Sequence, residues 1–333
     1  MKICGVSLAK SLYHSPITIR IEGKLGAGKT TFIQGFAKGL GIREPITSPT
    51  YALEQRYQGI VPLIHIDLYR LSKEEATKLI ESTDDFEGIR CIEWAQRIGI
   101  DTSACHGEPD EPDMHIPTIS IVIEEPQKDT RELTIVFNDV LLPSRDQIES
   151  WRTEVMLPAH IWKHCDVVGS VAERMAHSLL ETGRITRPFA LRRSGELHDL
   201  LRFMDFRPDA SPPGMKESCE EQECWKKWKE RYPNLHHEAA CAAFLREKNL
   251  DALAEIIEPH GLLSPSPLKS TTEQKILFYA DKRVIVDRVV SLEERFEDFK
   301  KRYGKGKETP QHVEWFREAR TIEKELFPEG VPL

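Results

Sequence analysis

The chain has 333 residues, 40% hydrophobic and 30% charged, which supplies enough apolar side chain for a core and excludes disordered, collagen-like and low-complexity classes. Its formal net charge of -8 argues against a broadly basic nucleic-acid platform, and at about 150 residues per domain the length favours two domains. No apolar run approaches the ~18 residues of a membrane span, and the opening MKICGVSLAKSLYH lacks the continuous apolar stretch of a secretion signal, so a cytoplasmic protein away from membranes is expected.

In chain order, residues 17–22 (ITIRIE) alternate apolar and polar and predict a strand with one wet face. A glycine-rich turn follows, and Phe32, Ile33, Phe36 and Leu40 then recur at helical spacing over 29–40. Residues 61–67 and 89–93 read as strands, and Ser72 with Glu75 forms a capping box that opens a helix. Residues 103–115 read as a loop, and 118–123 with 132–137 as a hairpin around PQKDT. Beyond about 145 strand signals fade. Helical patterns occupy 158–181, 187–203, 235–247, 250–258, 272–303 and 309–326, broken at 205–218 by Pro and Gly. The tract 216–231, with Trp225 and Trp228, reads as an amphipathic helix or a lid. The expected architecture is therefore an α/β domain at 1–140, a linker near 140–148 and an all-α domain over 141–333.

The seven cysteines (Cys4, Cys91, Cys105, Cys165, Cys219, Cys224, Cys241) are odd in number and form no Cys-x-x-Cys pair. Reduced thiols fit that pattern better than a disulfide scaffold.

Residues 23–30 read Gly23-Lys24-Leu25-Gly26-Ala27-Gly28-Lys29-Thr30, the G-x-x-x-x-G-K-[ST] spacing of a phosphate loop between a strand and a helix. Gly23, Gly26, Ala27 and Gly28 would let main-chain N–H groups turn toward phosphate oxygens, with the start of the helix through Thr31 adding partial positive charge. Lys29 would reach the β- and γ-phosphates and the Thr30 hydroxyl would ligate Mg²⁺, so ATP with Mg²⁺ is the expected cofactor. Asp67 and Glu93 end their strands, where α/β sheets bind ligands, and are the candidate acidic partners of that metal.

The string GKLGAGKTTFIQG, then Ser48-Pro49-Thr50-Tyr51, then His65-Ile66-Asp67-Leu68-Tyr69-Arg70-Leu71, then Ile92-Glu93-Trp94 resembles the bacterial TsaE family over residues ~5–138. That family is the ATPase of tRNA N6-threonylcarbamoyladenosine (t6A) synthesis. The resemblance implies a P-loop NTPase fold, Thr50 in a switch-like segment near the γ-phosphate, and Asp67 and Glu93 serving the metal and the hydrolytic water. Trp94 is expected to pack. It also implies a TsaB–TsaD heterodimer as partner, with tRNA engaged only indirectly or weakly. Lys24 stands where the family usually has an acidic residue, and fewer residues precede Ile17 than the family's usual strand and helix need.

The back half holds His164, the pair His198-Asp199 and Asp281 on three different predicted helices, with His237 in HHEAACAAFL and His260 in IIEPHGLL. Imidazole and carboxylate together suit divalent transition metals, and Asp199 could bridge two of them. His160, His177, His236 and His312 are expected to be structural. The order H…HD…H…H…D over ~150–300 resembles the HD-domain metal-dependent phosphohydrolases. The resemblance implies one or two divalent metals (Mn, Fe, Co, Ni or Mg), Asp199 as a catalytic group, and a small-molecule phosphoester, with a nucleotide the expected substrate class. Arg202 and Arg192 or Arg193 are candidate phosphate clamps.

The expected protein is thus bifunctional, a TsaE-like ATPase joined to an HD phosphohydrolase. Two alternatives stay open: a non-catalytic phosphate-loop docking module that delivers the hydrolase to the t6A machinery, and a phosphate-loop kinase with a regulatory HD half.

Overall fold

A computed structural model describes residues 1–13, 15–99, 117–206, 217–261, 271–303 and 307–332. The expected loop at 103–115, Cys105 and most of 205–218 lie outside the described residues. The chain divides into two compact units, Met1–Leu141 with Leu180–Ile185, and Leu142–Leu179 with Thr186–Leu333.

The first unit is an α/β sheet layer. Its elements are α1 (Lys2–Ala9), β1 (Ile17–Gly23), α2 (Lys29–Gly39), β2 (Glu54–Tyr57), β3 (Leu63–Asp67), α3 (Lys73–Glu81), β4 (Ile89–Glu93), a 3-10 turn Ala95–Ile98, β5 (Thr118–Glu124) and β6 (Glu132–Asn138). Six strands form one sheet in the order β2-β3-β4-β1-β5-β6. The inner pairs β3–β4, β4–β1 and β1–β5 are parallel, and the outer strands β2 and β6 are antiparallel to their neighbours. Ile17, Ile19 and Ile21 of β1 pack with Phe32, Ile33 and Phe36 of α2 and Leu8 of α1 in a continuous core, each buried side chain contributing roughly 1.5–3 kcal/mol of transfer free energy. On the opposite face Ile64 and Ile66 of β3, Ile92 of β4, Ala76 of α3 and Ala95 form a second cluster. β3 and β4 are therefore covered on both faces, which explains their unbroken apolar runs.

The alternation in β1 marks a polar face rather than the wet one its pattern suggests. Thr18 is buried and accepts a hydrogen bond from Arg90 Nε of β4 at 3.1 Å, and Arg20 is half-buried. A side chain bonded across neighbouring strands alternates in polarity without reaching water.

The second unit holds α4 (Arg145–Glu154), α5 (Ala159–Glu181), α6 (Pro188–Leu197), a 3-10 turn Arg202–Asp205, α7 (Cys219–Arg231), α8 (His237–Glu247), α9 (Asp251–Ile257), a 3-10 turn Glu258–His260, α10 (Thr272–Asp281), β7 (Val284–Ile285), β8 (Arg288–Val289), α11 (Leu292–Tyr303) and α12 (Pro310–Leu326). Two details depart from the sequence expectation. The linker near 140–148 runs into α4, because Ser144 and Gln147 form a capping box that opens a helix there. The pattern over 272–303 is not one helix. Val284 pairs with Val289 and Ile285 with Arg288 in a two-residue hairpin whose turn holds Val286 at φ 55°. The β-branched pair Val284 and Ile285 stiffens χ1 and favours extended backbone, and α10 stops at Asp281.

Candidate functional site

The first constellation forms where the parallel strands end. β1 leads into the loop Gly23–Gly28, with Gly26 at φ 82° and Gly28 at φ 106°, left-handed values open to glycine at little cost. Gly28 is also the N-cap of α2 and offers no side-chain cap, so the first amides of the helix, from Lys29 through Thr31, remain available to an anion. A side chain at Gly23 would meet Ile123 O at 2.6 Å, so the loop crosses β5 closely. The Lys29 ammonium is folded into this loop, donating to Gly23 O at 2.9 Å and Lys24 O at 3.1 Å and lying 3.8 Å from the centre of the Trp94 ring. Burial lowers the Lys29 pKa, while Glu93 and Asp67 pull it back up.

Register then explains why the two acids meet. Asp67 of β3 pairs with Glu93 of β4, so both carboxylates end side by side. Glu93 Oε1 accepts from Thr30 Oγ1 at 2.7 Å, and Asp67 Oδ2 accepts from Thr50 Oγ1 at 2.5 Å and Ser48 Oγ at 3.2 Å. Asp67 Oδ1 takes the Tyr69 N–H at 2.9 Å. Each acid is thus tied to a different hydroxyl segment, Glu93 to the phosphate loop and Asp67 to the Ser48–Thr50 turn. Such an arrangement can cradle a polyphosphate and present oxygen ligands to a hard cation. Trp94 holds φ 62°, which turns the chain sharply after β4 and lays its ring against Tyr69 at 4.8 Å as well as Lys29.

Two members of this region were not among the candidates. His65 is fully buried, with Nε2 3.0 Å from Glu93 Oε1. The sequence carried a signal, since a residue two before Asp67 on a strand points the same way. Arg131 donates from Nε to Ala27 O at 3.1 Å and pairs with Glu125 at 2.7 Å, a contact across 104 positions that no local pattern announces.

The second constellation lies wholly within the second unit. His164 comes from α5, His198 caps the end of α6, Asp199 follows it, His237 opens α8, His260 ends the 3-10 turn after α9, and Asp281 ends α10. His164 Nε2 lies 3.0 Å from Asp281 Oδ1, and His198 Nε2 lies 3.8 Å from both Asp281 Oδ1 and Asp199 Oδ2. On the other side of Asp199, Oδ1 is 3.0 Å from His237 Nε2 and 3.7 Å from His260 Nε2. Two groups, His164-His198-Asp199 and Asp199-His237-His260, therefore share Asp199, with each group's ligand atoms within 4.8 Å of one another. His198 Nε2 is buried without a hydrogen-bond partner among the described residues while its Nδ1 is held 2.8 Å from Gly195 O. An imidazole nitrogen left bare and aimed at two carboxylates is what a cation ligand requires, and imidazole with carboxylate is a suitable donor set for a divalent transition metal.

The electrostatics agree. Burial pushes the Asp199 carboxyl up, but His198, Arg202 and His237 outweigh it and hold it well below the usual carboxylate range. Burial likewise opposes ionisation of Asp281, yet Lys282, His164 and His198 keep it low. Burial lowers His198, but Asp199 beside it raises it well above an ordinary imidazole. His237 is raised by Asp199 and Asp205 against burial, whereas burial and the neighbouring His198 and His237 lower His260. The Asp199 and Asp281 carboxylates thus sit among positive charge from Arg202 and Lys282 and beside the raised His198.

The clamp candidates divide. Arg202 Nη1 lies 2.9 Å from His237 Nε2, at the cluster. Arg192 is instead engaged by Glu196 and Glu173, both at 2.7 Å, and Arg193 by Glu196 at 2.8 Å, so ion pairs within the helices account for them. Sequence reasoning missed Asp205, whose Oδ2 hydrogen-bonds His237 Nδ1, and Lys282 and Arg295, which both reach Asp281. Trp225 and Trp228 are buried in α7, Trp225 donating to Val155 O at 3.0 Å and stacking on Phe203 at 5.3 Å, so the tract is a packed helix.

Known proteins resemble the first unit. A family model described as threonylcarbamoyl adenosine biosynthesis protein TsaE matches residues 1–133. The tRNA threonylcarbamoyladenosine biosynthesis protein TsaE of Nostoc sp. is 45% identical over 100 residues, covering 28% of this chain and 61% of the relative. That of Bacillus subtilis is 36% identical over 117 residues, covering 35% of this chain and 66% of the relative. That of Treponema pallidum is 43% identical over 100 residues, covering 28% of this chain and 70% of the relative. The chain thus spans somewhat under two thirds of the first two relatives and more of the third. Among the described residues no helix is long and apolar enough to cross a membrane. Through its residues 1–133, with the phosphate loop, the Ser48–Thr50 turn and the Asp67–Glu93 pair, the chain belongs to the TsaE family.

Proposed function

We propose that the chain is a cytoplasmic bifunctional hydrolase. Its first unit binds and hydrolyses ATP with Mg²⁺ in support of t6A modification of tRNA, acting on a TsaB–TsaD partner and touching tRNA indirectly. Its second unit is an HD-type phosphohydrolase that takes a small phosphoester, with a nucleotide the expected substrate.

In the first unit, Gly23, Gly26, Ala27, Gly28 and Thr31 offer main-chain amides to the phosphates, and Lys29 leaves the loop carbonyls to neutralise them. Thr30, Asp67 and Glu93 provide oxygen ligands for Mg²⁺, and Thr50 couples the Ser48–Thr50 turn to Asp67. Glu93, held by Thr30 and His65, is placed to orient a water.

In the second unit, His164, His198, Asp199 and Asp281 would hold one divalent cation, and Asp199, His237 and His260 a second. Mn, Fe, Co, Ni and Mg all suit this donor set. Such cations polarise a phosphoryl group and lower the pKa of a bound water. Arg202, beside His237, is positioned to bind a substrate phosphate. The observation that carries the reading is the sharing of Asp199 between two buried histidine groups.

The test is a phosphatase screen over nucleoside monophosphates, cyclic phosphates and tRNA ends with cation-loaded protein, alongside ATP turnover with and without TsaB–TsaD. Release of phosphate from one phosphoester class and partner-stimulated ATP turnover are expected. ATP turnover at the buffer blank under both conditions would instead favour a docking module, a reading motivated by Lys24 at the mouth of the loop. Transfer of the γ-phosphate to an acceptor other than water would favour a kinase.

A further inference from the structure

An imidazole presents a lone pair from one ring nitrogen only when the other carries the proton, and the group that accepts that proton fixes which nitrogen it is. In the histidine cluster main chain does this twice. His198 Nδ1 lies 2.8 Å from Gly195 O and His260 Nδ1 lies 2.7 Å from Ile257 O, each three residues back in its own turn. Among the described residues His237 has no such carbonyl. It is the first residue of α8, so no earlier turn of its helix stands behind it. Its Nδ1 meets Oδ2 of Asp205 instead, with Glu238 Oε2 at 3.1 Å, while its Nε2 faces Asp199 Oδ1 at 3.0 Å and His260 Nε2 at 3.3 Å, and Arg202 Nη1 lies against the ring at 3.0 Å from Nδ1 and 2.9 Å from Nε2. Asp205 is held by the 3-10 turn Arg202–Asp205, and its other oxygen lies 2.9 Å from His236 Nδ1.

We propose that Asp205 is the positioning residue of one half of this cluster, which rests on the reading of the cluster as a cation site. Asp205 accepts a hydrogen bond from the Nδ1–H of His237 and so leaves Nε2 as the lone pair that faces Asp199 and His260. The half made by His164, His198 and Asp281 does not depend on it, because His198 is set by Gly195. Asp205, His237 and Glu238 are themselves close enough to hold a cation. That assignment needs Nδ1 as the lone pair, and one neutral imidazole has a single lone pair to give, so the two pockets around His237 exclude each other.

The experiment titrates the metal-free full chain with Mn²⁺, reading free ion by electron paramagnetic resonance, for the wild type, Asp205→Ala and Asp205→Asn. One ion should bind as in the wild type while the affinity of the other falls about 10- to 100-fold in Asp205→Ala. Asp205→Asn should lie between, since its amide oxygen still accepts a proton. Ring ¹⁵N shifts of the wild type loaded with diamagnetic Mg²⁺ should place the His237 proton on Nδ1, and Asp205→Ala should mix the tautomers. A wild type that binds no ion overturns the cation reading beneath the proposal. A wild type that binds one or two ions, with every affinity unchanged in Asp205→Ala, overturns the positioning role alone. Three ions in the wild type and two in Asp205→Ala would make Asp205 a ligand and equally overturn it.

Discussion

In both constellations the surroundings of single side chains set what each change should do. Lys29 is folded into the phosphate loop and also feels both Glu93 and Asp67. Lys29→Ala should lower ATP turnover by roughly 10²-fold or more, as expected for loss of one preorganised charge, without lowering the melting temperature by more than a few degrees. Equal turnover in the variant would remove Lys29 from the reaction. Cysteine reactivity tests burial directly. Cys91, Cys165 and Cys241 are buried, Cys219 is exposed, and burial pushes the Cys91 thiol far above its ordinary value. Alkylation of the native chain near pH 8 should therefore modify Cys219 quickly and leave Cys91 untouched until denaturant is added. Rapid native labelling of Cys91 would contradict the packing of β4. At this scale spacing alone makes Lys29 and Thr30 legible as phosphate-loop residues, and strand alternation puts His65 on the face of Asp67. The contacts of His65 with Glu93 and of Asp205 with His237 are not legible, because they bridge 28 and 32 positions.

Secondary elements position these groups through close helix contacts. α5 and α6 carry His164 and His198, and they cross at Gly169 and Gly195. A methyl on Gly195 would stand 2.4 Å from Gly169 Cα, and one on Gly169 would stand 2.7 Å from Arg192 O. Gly195→Ala should cost about 1–3 kcal/mol of stability, because backbone and not a flexible side chain must move. It should also weaken cation binding, since the helices bearing His164 and His198 are forced apart. Calorimetry and Mn²⁺ titration of the same sample check both, and unchanged values in both would refute the crossing. Elements with a strong local period were readable in advance. The alternation of residues 17–22 followed by helical spacing matches β1 and α2 within a residue or two at their starts. The linker expected near 140–148 overlaps the start of α4 despite its Ser144/Gln147 capping box, because the helix is polar overall with only Ile148, Trp151 and Arg152 buried. The hairpin Val284–Val289 was absorbed into a long helix because two-residue strands are too short to show a period.

For the whole molecule, charge balance in the second unit has a pH consequence. In the metal-free chain Asp199 and Asp281 ionise more easily than in the unfolded state, so their contribution to stability is present above about pH 4 and is lost as acid is added below it. His198, raised on folding, contributes below about pH 6.5 and loses that contribution as pH rises through its folded value. Metal-free protein should therefore melt highest in mildly acidic buffer, and cation loading should move the optimum upward, because protons and cations compete for the same imidazoles. Thermal melts across pH with and without Mn²⁺ read this, and coincident profiles would contradict it. The central claim is that two hydrolytic centres work in one chain. It is tested most directly by assaying Lys29→Ala and Asp199→Ala each for partner-stimulated ATP turnover and for cation-dependent phosphoester hydrolysis. The account predicts a crossed result, with Lys29→Ala losing only the first activity and Asp199→Ala only the second. Loss of both activities from either single change, or of neither, would contradict it.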